Sequence, residues 1–217
     1  MSEPVKPVRR YDTTRRRQQA RENRGRILTA AGQLFLAKGY ADTAMPEIAH
    51  AAGVSVQTVY KAFANKATLL KAVFDVSVAG DDEPTPMAER DVIGAIQATP
   101  DAAAKITLYA RHLAEGAPRY APLQLLTRDA AGADGAAARV WAQMREEMLT
   151  AMTHFAADLL GTGQVRAGLA AADVRDVLWT YHAPELYELL VLERGWSTQR
   201  YGSFLAEAIT NAVLGAR

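Results

Sequence analysis

Thr43-Ala44-Met45-Pro46-Glu47-Ile48-Ala49-His50-Ala51-Ala52-Gly53-Val54-Ser55-Val56-Gln57-Thr58-Val59-Tyr60-Lys61-Ala62-Phe63 reads as two short helices joined by a tight turn. Thr43 is the expected N-cap of the first, and Pro46 fits its first turn, where an N–H has no partner within the helix. Met45, Ile48, Ala49 and Ala52 mark the buried face. Gly53 permits the sharp turn, Val54 can fill the space between the helices, and Ser55 can cap a second helix running to Phe63. Val59, Ala62 and Phe63 fall on one side of that helix. Gln57, Tyr60 and Lys61, at i, i+3 and i+4, fall on the other.

Upstream, Ile27, Leu28, Ala31, Leu34 and Phe35 recur at helical spacing, and Gly39 is placed to stop that helix. Downstream, Asn65 caps a helix with the stripe Leu69, Leu70, Val73 and Phe74, which fades near Gly80. The first ~20 residues, with their arginines, Pro4 and Pro7, lack apolar periodicity and read as a flexible basic arm. Residues 80–86 have linker composition. The expected organisation is an arm over 1–20, a head over 21–79 and a helical body over 87–217. The body shows helical periodicity without strand alternation, broken near Thr99-Pro100, Gly116-Pro118, Gly132-Gly135, Gly161-Gly168, Ala183-Pro184 and Gly195.

The net charge of +1 conceals an asymmetry, for residues 1–79 carry +7 and residues 80–217 carry −6. A basic head attracts polyanions that an acidic body repels, although charge alone equally describes a solvated basic tail. The absence of cysteine excludes disulfides, thiolate metal sites and a cysteine nucleophile. No apolar run approaches the ~20 residues of a membrane span, and no secretory signal is evident. A cytoplasmic protein without cofactor or metal is expected. There is no HExxH, GxSxG or P-loop, the four histidines are scattered, and Glu146-Glu147 point apart on a helix, so a helical enzyme is disfavoured.

A helix, a turn and a short helix with a polar outer face, on a basic head, have the layout of a helix-turn-helix that enters the DNA major groove. Gly39-Tyr40, Thr43, Ile48-Ala49, Ala52-Gly53-Val54-Ser55, Thr58-Val59-Tyr60, Phe63, Lys66 and Leu69-Leu70 resemble, in order and spacing over residues 23–74, the signature of the TetR (tetracycline-repressor-like) family. The resemblance implies an all-α protein: an N-terminal three-helix DNA-binding domain on a larger helical ligand-binding and dimerisation domain. It also implies phosphate contacts by Thr43, Tyr60 and Lys66, with Thr43 as a simple cap the alternative. Where many relatives carry a second hydroxyl residue this chain has Ala44, so a hydroxyl contact there is lost. Gln57 and Lys61 are candidate base readers, since Gln pairs bidentately with adenine and Lys donates to guanine; Val56 and Thr58 can meet thymine methyls. With Ser55 at the helix start, the DNA-facing set is Thr43, Ser55, Val56, Gln57, Thr58, Tyr60, Lys61 and Lys66. Arg15, Arg16, Arg17, Arg21 and Arg24 can reach phosphates or the minor groove, or stay solvated.

A short recognition helix touches few base pairs, so a homodimer on a double-stranded operator is expected. Leu186, Leu190, Tyr201, Phe204, Leu205, Ala208, Ile209 and Ala212 are the candidate interface, in a four-helix contact; burial within one subunit is the alternative. Tyr109, His112, Trp141, Met144, Met148, Phe155, Trp179 and His182 are candidates for lining a small-molecule effector cavity, or they form ordinary core. The resemblance implies a repressor whose effector moves the fourth helix and misaligns the two heads. The competing reading is a constitutive DNA-binding protein without effector.

Overall fold

The computed structural model describes residues 13–83 and 85–214, and every regular element among them is helical. The first helix, α1, spans Thr13–Lys38. Residues 1–12 of the expected arm lie outside the described residues, but the expectation fails for residues 13–20, which form the first turns of α1. Residues 15–20 need no apolar stripe because they are exposed, and Arg, Gln and Ala favour helix intrinsically. Gln18 Nε2 donates to Glu22 Oε1 at 2.9 Å and Gln19 Nε2 to Asn23 Oδ1 at 3.1 Å, pairs at i,i+4 that add local support. Gly39, at φ +82°, ends α1.

The head continues with α2 (Met45–Ala51), α3 (Val56–Ala62) and α4 (Lys66–Ala79). Asn65 and Thr68 form a reciprocal capping box at the start of α4. Ile27, Ala31 and Phe35 of α1, Ile48 of α2, Val59 of α3, and Leu69 and Leu70 of α4 are fully buried together.

After a short 3₁₀ turn at Met87–Glu89, the body consists of α5 (Asp91–Ala98), α6 (Ala102–Ala131), α7 (Gly135–Gly161), α8 (Ala171–Tyr181), α9 (Pro184–Tyr187) and α10 (Thr198–Val213). Residues Glu188–Glu193 prolong α9 as a π-helical turn. The break expected at Gly116-Pro118 is absent, because α6 runs through Gly116, Pro118 and Pro122. It is the central helix, contacting α1, α4, α5, α7, α9 and α10, and this packing outweighs the ~3 kcal/mol that an internal proline costs. Gly116 provides space rather than a stop, since a Cβ there would lie 2.8 Å from the Tyr120 ring. Gly202 of α10 likewise sits where a Cβ would be 3.0 Å from that of Ala114, so small residues bring α6 and α10 close. Lys105 is buried on α6 and donates to the carbonyls of Ile96 and Gln97 and to Asp158 at 2.7 Å, tying the end of α5 to α7.

Head and body share one hydrophobic cluster. Polar ties cross the same boundary. Lys71 of α4 pairs with Glu147 of α7 at 3.0 Å, and Arg119 of α6 donates to the Ser77 carbonyl at 3.2 Å, while Arg24 holds Asp82 of the connecting loop at 2.9 Å. Tyr40 donates to Asp134 Oδ2 at 3.3 Å, and Asp134 also caps α7 through the N–H groups of Ala136 and Ala137. Burial, with the adjacent Asp134 carboxylate second, pushes the Tyr40 phenol up to about 12, so it stays a donor. The fourth helix is therefore gripped from both sides.

Candidate nucleic-acid interface and ligand cavity

The turn between α2 and α3 is closed by backbone bonds from Gly53 N to the His50 carbonyl (3.1 Å) and Val54 N to the Ala49 carbonyl (3.0 Å), with Gly53 at φ +63°. Only glycine adopts that angle without cost. Ser55 Oγ accepts from Thr58 N at 3.1 Å and caps α3 as expected. Val59 and Phe63 anchor α3 inward, while Ala62, expected beside them, is exposed. The outward face carries Val56, Gln57, Tyr60 and Lys61, all exposed, with Thr58 half-buried; Tyr60 keeps 51% of its surface. These α3 residues, all expected to face DNA, are thus on or beside one accessible surface, and Ser55 starts it.

Two expected contacts are placed elsewhere. Thr43 is not the cap of α2: Ala44 is, without a side-chain bond. The Thr43 side chain turns inward, 1% exposed, and donates to the Gly39 carbonyl at 2.7 Å, where it holds the end of α1. Buried hydroxyls find partners, and the unpaired carbonyls at a helix end supply them. Lys66 Nζ donates to the carbonyls of Tyr40 and Ala41, at 2.7 and 3.3 Å, and lies 4.2 Å from the centre of the Tyr40 ring. Its ammonium staples the α1–α2 loop to the start of α4 instead of projecting outward. Arg24 of the arginine cluster is likewise engaged, with Asp82 and over the Phe63 ring at 5.0 Å.

In the body, a cavity of about 300 Å³ opens between α6, α7, α8 and the start of α9. Trp141, Met144, Met148, Trp179 and His182, all candidates from the sequence, line it, joined by Gln124, Arg145, Thr180, Ala183, Pro184 and Glu185. Tyr109 and Phe155 stand behind the wall, their rings 4.8 Å apart, and the Tyr109 hydroxyl meets His182 Nδ1 at 2.9 Å. His112 is not part of this cavity. It lines a separate hollow with Val78, Met87, Arg90 and Arg119, and burial lowers its pKa. Burial, reinforced by His112, pushes His182 down to about 4, so its imidazole is neutral. An O–H donates better to an imidazole nitrogen than to the Met152 thioether also within its reach, at 3.3 Å. That assignment puts the His182 proton on Nε2. Gln124 escapes a reading of the sequence, because the expected break in α6 separates it from the apolar stripe to which it belongs. Met144 and Met148 face two ways, lining both this cavity and a hollow against Phe74, Asp75 and Val78 of α4.

The candidate dimer residues divide. Tyr201, Leu205 and Ile209 are buried within their own subunit, where α10 packs on α6 and α8, and they are withdrawn from the interface. Leu186, Leu190, Phe204, Ala208 and Ala212 are half-buried. The π-helical turn, marked by the bond from Arg194 N to the Leu189 carbonyl, sets out Leu189 and Leu192, 50% and 54% exposed. Among the described residues, no group of three or more His, Asp or Glu could hold a metal, and no helix is long and apolar enough to cross a membrane.

Residues 27–73 match the family described as bacterial regulatory proteins, tetR family. Over 61 residues the chain is 39% identical to the HTH-type transcriptional regulator TtgR of Pseudomonas putida, and equally to the probable HTH-type transcriptional regulator ArpR of the same species. That stretch spans 28% of this chain and 29% of each relative. The fold extends further. The fatty acid degradation regulator FadR from Bacillus halodurans superposes with a TM-score of 0.69 at 18% identity, over 89% of this chain and 99% of that one. FadR from Bacillus subtilis in complex with stearoyl-CoA gives 0.68 at 19% identity, over 88% and 98%. NalD, the secondary repressor of the MexAB-OprM multidrug efflux pump in Pseudomonas aeruginosa, gives 0.67 at 18%, over 90% and 98%.

Proposed function

We propose, from the premise that its head belongs to the tetR family of bacterial regulatory proteins, that this chain is a sequence-specific DNA-binding repressor released from its operator by a small molecule. The observation that carries the DNA reading is the face of α3: Val59 and Phe63 fix the helix to the core while Gln57, Tyr60 and Lys61 project outward. A rigid helix with a polar, partly cationic outer face is what a major groove accepts. Tyr60 serves as a phosphate ligand and Gln57 and Lys61 as base readers. Two heads are supplied by a homodimer through Leu186, Leu190, Phe204, Ala208 and Ala212, with the exposed Leu189 and Leu192 completing the apolar face.

The effector reading is supported by the cavity and by its shared wall. An occupant that displaces Met144 or Met148 presses on α4, because the same side chains line the hollow against Phe74 and Val78. Helix α4 begins shortly after Phe63, so its displacement carries the recognition helix with it. Ligand and DNA then weaken each other's binding by one common factor. The relatives named above include a FadR bound to stearoyl-CoA and a repressor of an efflux pump, consistent with this class of behaviour.

The test is operator selection with the purified protein, followed by fluorescence anisotropy. Tyr60→Ala should weaken binding to all sequences alike, whereas Gln57→Ala should change preference at one base position by about 1–3 kcal/mol. Unchanged binding in both variants, or indifference of the wild-type protein to duplex DNA at low salt, refutes the proposal.

A further inference from the structure

The chain has six methionines and no cysteine, so sulfur oxidation on it falls to thioethers. Met144, Met148 and Met152 recur at i, i+4 and i+8 along one face of α7. The first two belong both to the body cavity and, toward α4, to a hollow of about 610 Å³ bounded by Phe74, Val78 and Met87. Exposure separates them. Met144 and Met152 are each 4% exposed, whereas Met148 is half-buried and packs against the core cluster from its edge. Met148 is thus the thioether of α7 that a small solute reaches while it still supports the seam between head and body.

A thioether is apolar and pliable, but a sulfoxide carries a strong oxygen acceptor that must find a donor or move to water. The cations beside the two hollows are committed. Lys71 pairs with Asp75 and Glu147 at 2.6 and 3.0 Å, Arg24 pairs with Asp82 at 2.9 Å, and Arg145 lies 4.8 Å from the centre of the Trp179 ring. Resting on the regulatory reading above, we propose that Met148 is an oxidation site, and that its conversion to the sulfoxide by a neutral hydroperoxide loosens α4 and releases DNA. In that step a sulfur lone pair attacks one peroxide oxygen, and the O–O bond breaks as the S–O bond forms. The proton of the bound oxygen passes to the departing hydroxide, which leaves as water; sulfur loses two electrons and the peroxide gains them. The edge of the outer hollow carries Asp75, Asp81, Asp82, Glu83 and Glu147 against Arg24, a balance that repels anionic oxidants and admits an uncharged one.

The experiment treats the full chain with graded hydrogen peroxide. Each methionine is followed by peptide mass spectrometry, helix content by circular dichroism, and affinity for the selected operator by fluorescence anisotropy. Met148 sulfoxide should appear before the sulfoxides of Met45, Met144 and Met152, which are 4–5% exposed. DNA affinity should fall about fivefold or more, the lower end of coupling between two sites, in step with Met148 and at unchanged helix content. Methionine sulfoxide reductases should restore it. In Met148→Leu, a substitution close in volume, the ratio of affinities before and after the same dose should stay within about twofold, whereas Met87→Leu should respond as the wild type does. Late oxidation of Met148, a loss of helix content that precedes the loss of affinity, or an equal response in Met148→Leu overturns the proposal. The wild-type dose course decides the matter even if that variant fails to fold. Untreated protein that ignores duplex DNA refutes the repressor reading and this inference together, whereas binding that survives oxidation of Met148 refutes the inference alone.

Discussion

Replacing His182 by glutamine tests the electrostatic state of the cavity floor. In the folded chain burial, aided by His112, holds the imidazole at about 4, against an ordinary value of 6.5. Each pKa unit is worth about 1.4 kcal/mol, so the shift amounts to about 3 kcal/mol at most, because one side of the ring faces the open cavity. The sign follows from which state takes up the proton. Between pH 6.5 and 4 the unfolded chain binds a proton that the folded chain refuses, so stability is full above 6.5 and is lost as pH falls toward 4. Glutamine keeps an acceptor for the Tyr109 hydroxyl but does not titrate. Urea unfolding of both proteins at closely spaced pH values between about 4 and 8 should show the wild type losing about 2–3 kcal/mol more than His182→Gln across that window, after subtraction of their difference at the alkaline end. Parallel pH profiles would refute the assignment of a buried neutral imidazole. A wild type that gains stability relative to the variant as pH falls would mean that the ring is paired with a carboxylate.

Thr43→Val removes a buried hydroxyl from the Gly39 carbonyl without changing shape, and should cost about 1–2 kcal/mol, a fall in melting temperature of a few degrees, while operator affinity measured well below that temperature stays within about twofold. A large loss of affinity at unchanged stability would restore Thr43 as a direct phosphate ligand. Replacing Leu189 and Leu192 together by glutamate should shift the assembly toward monomer in sedimentation at micromolar concentration, with little change in helix content, since both side chains are already half in solvent; an unaltered sedimentation profile would exclude this face from the dimer contact.

The head is legible in the sequence because each of its signals is local. Gly39, Gly53 and Gly80 sit where left-handed backbone is needed, Ser55 and Asn65 cap the helices that follow them, and the spacing of Val59 and Phe63 leaves Gln57 and Tyr60 outside. Thr43 and Lys66 depart from expectation for a shared reason. Each finds its partner on a neighbouring element, Gly39 in one case and Tyr40 and Ala41 in the other, and periodicity within a helix says nothing about such pairings. The same limit applies to α6, whose glycine and prolines carry the local signals of a stop that packing by α4, α7 and α10 overrides. In the cavity, the residues with a strong aromatic or thioether signature are recognisable from the chain alone. Gln124 is not, because its meaning depends on burial. The stripe of α10 is apolar as expected, yet Tyr201, Leu205 and Ile209 belong to the subunit's own core rather than to a partner.

The way α4 is gripped bears on how such a protein can be rebuilt. Its first half, with Leu69 and Leu70, completes the head, and its second half, with Phe74 and Val78, faces Met144 and Met148 across a hollow. Under the proposed function, the seam between recognition and sensing runs lengthwise through one helix rather than across the acidic loop that follows it. A chimera spliced at residues 80–86 would bring a foreign α4 against a native α7, and the transplanted head would inherit neither the Lys71–Glu147 pair nor a matching thioether wall. Specificity exchange should instead succeed when the graft ends within the α3–α4 junction and leaves the recipient its own fourth helix.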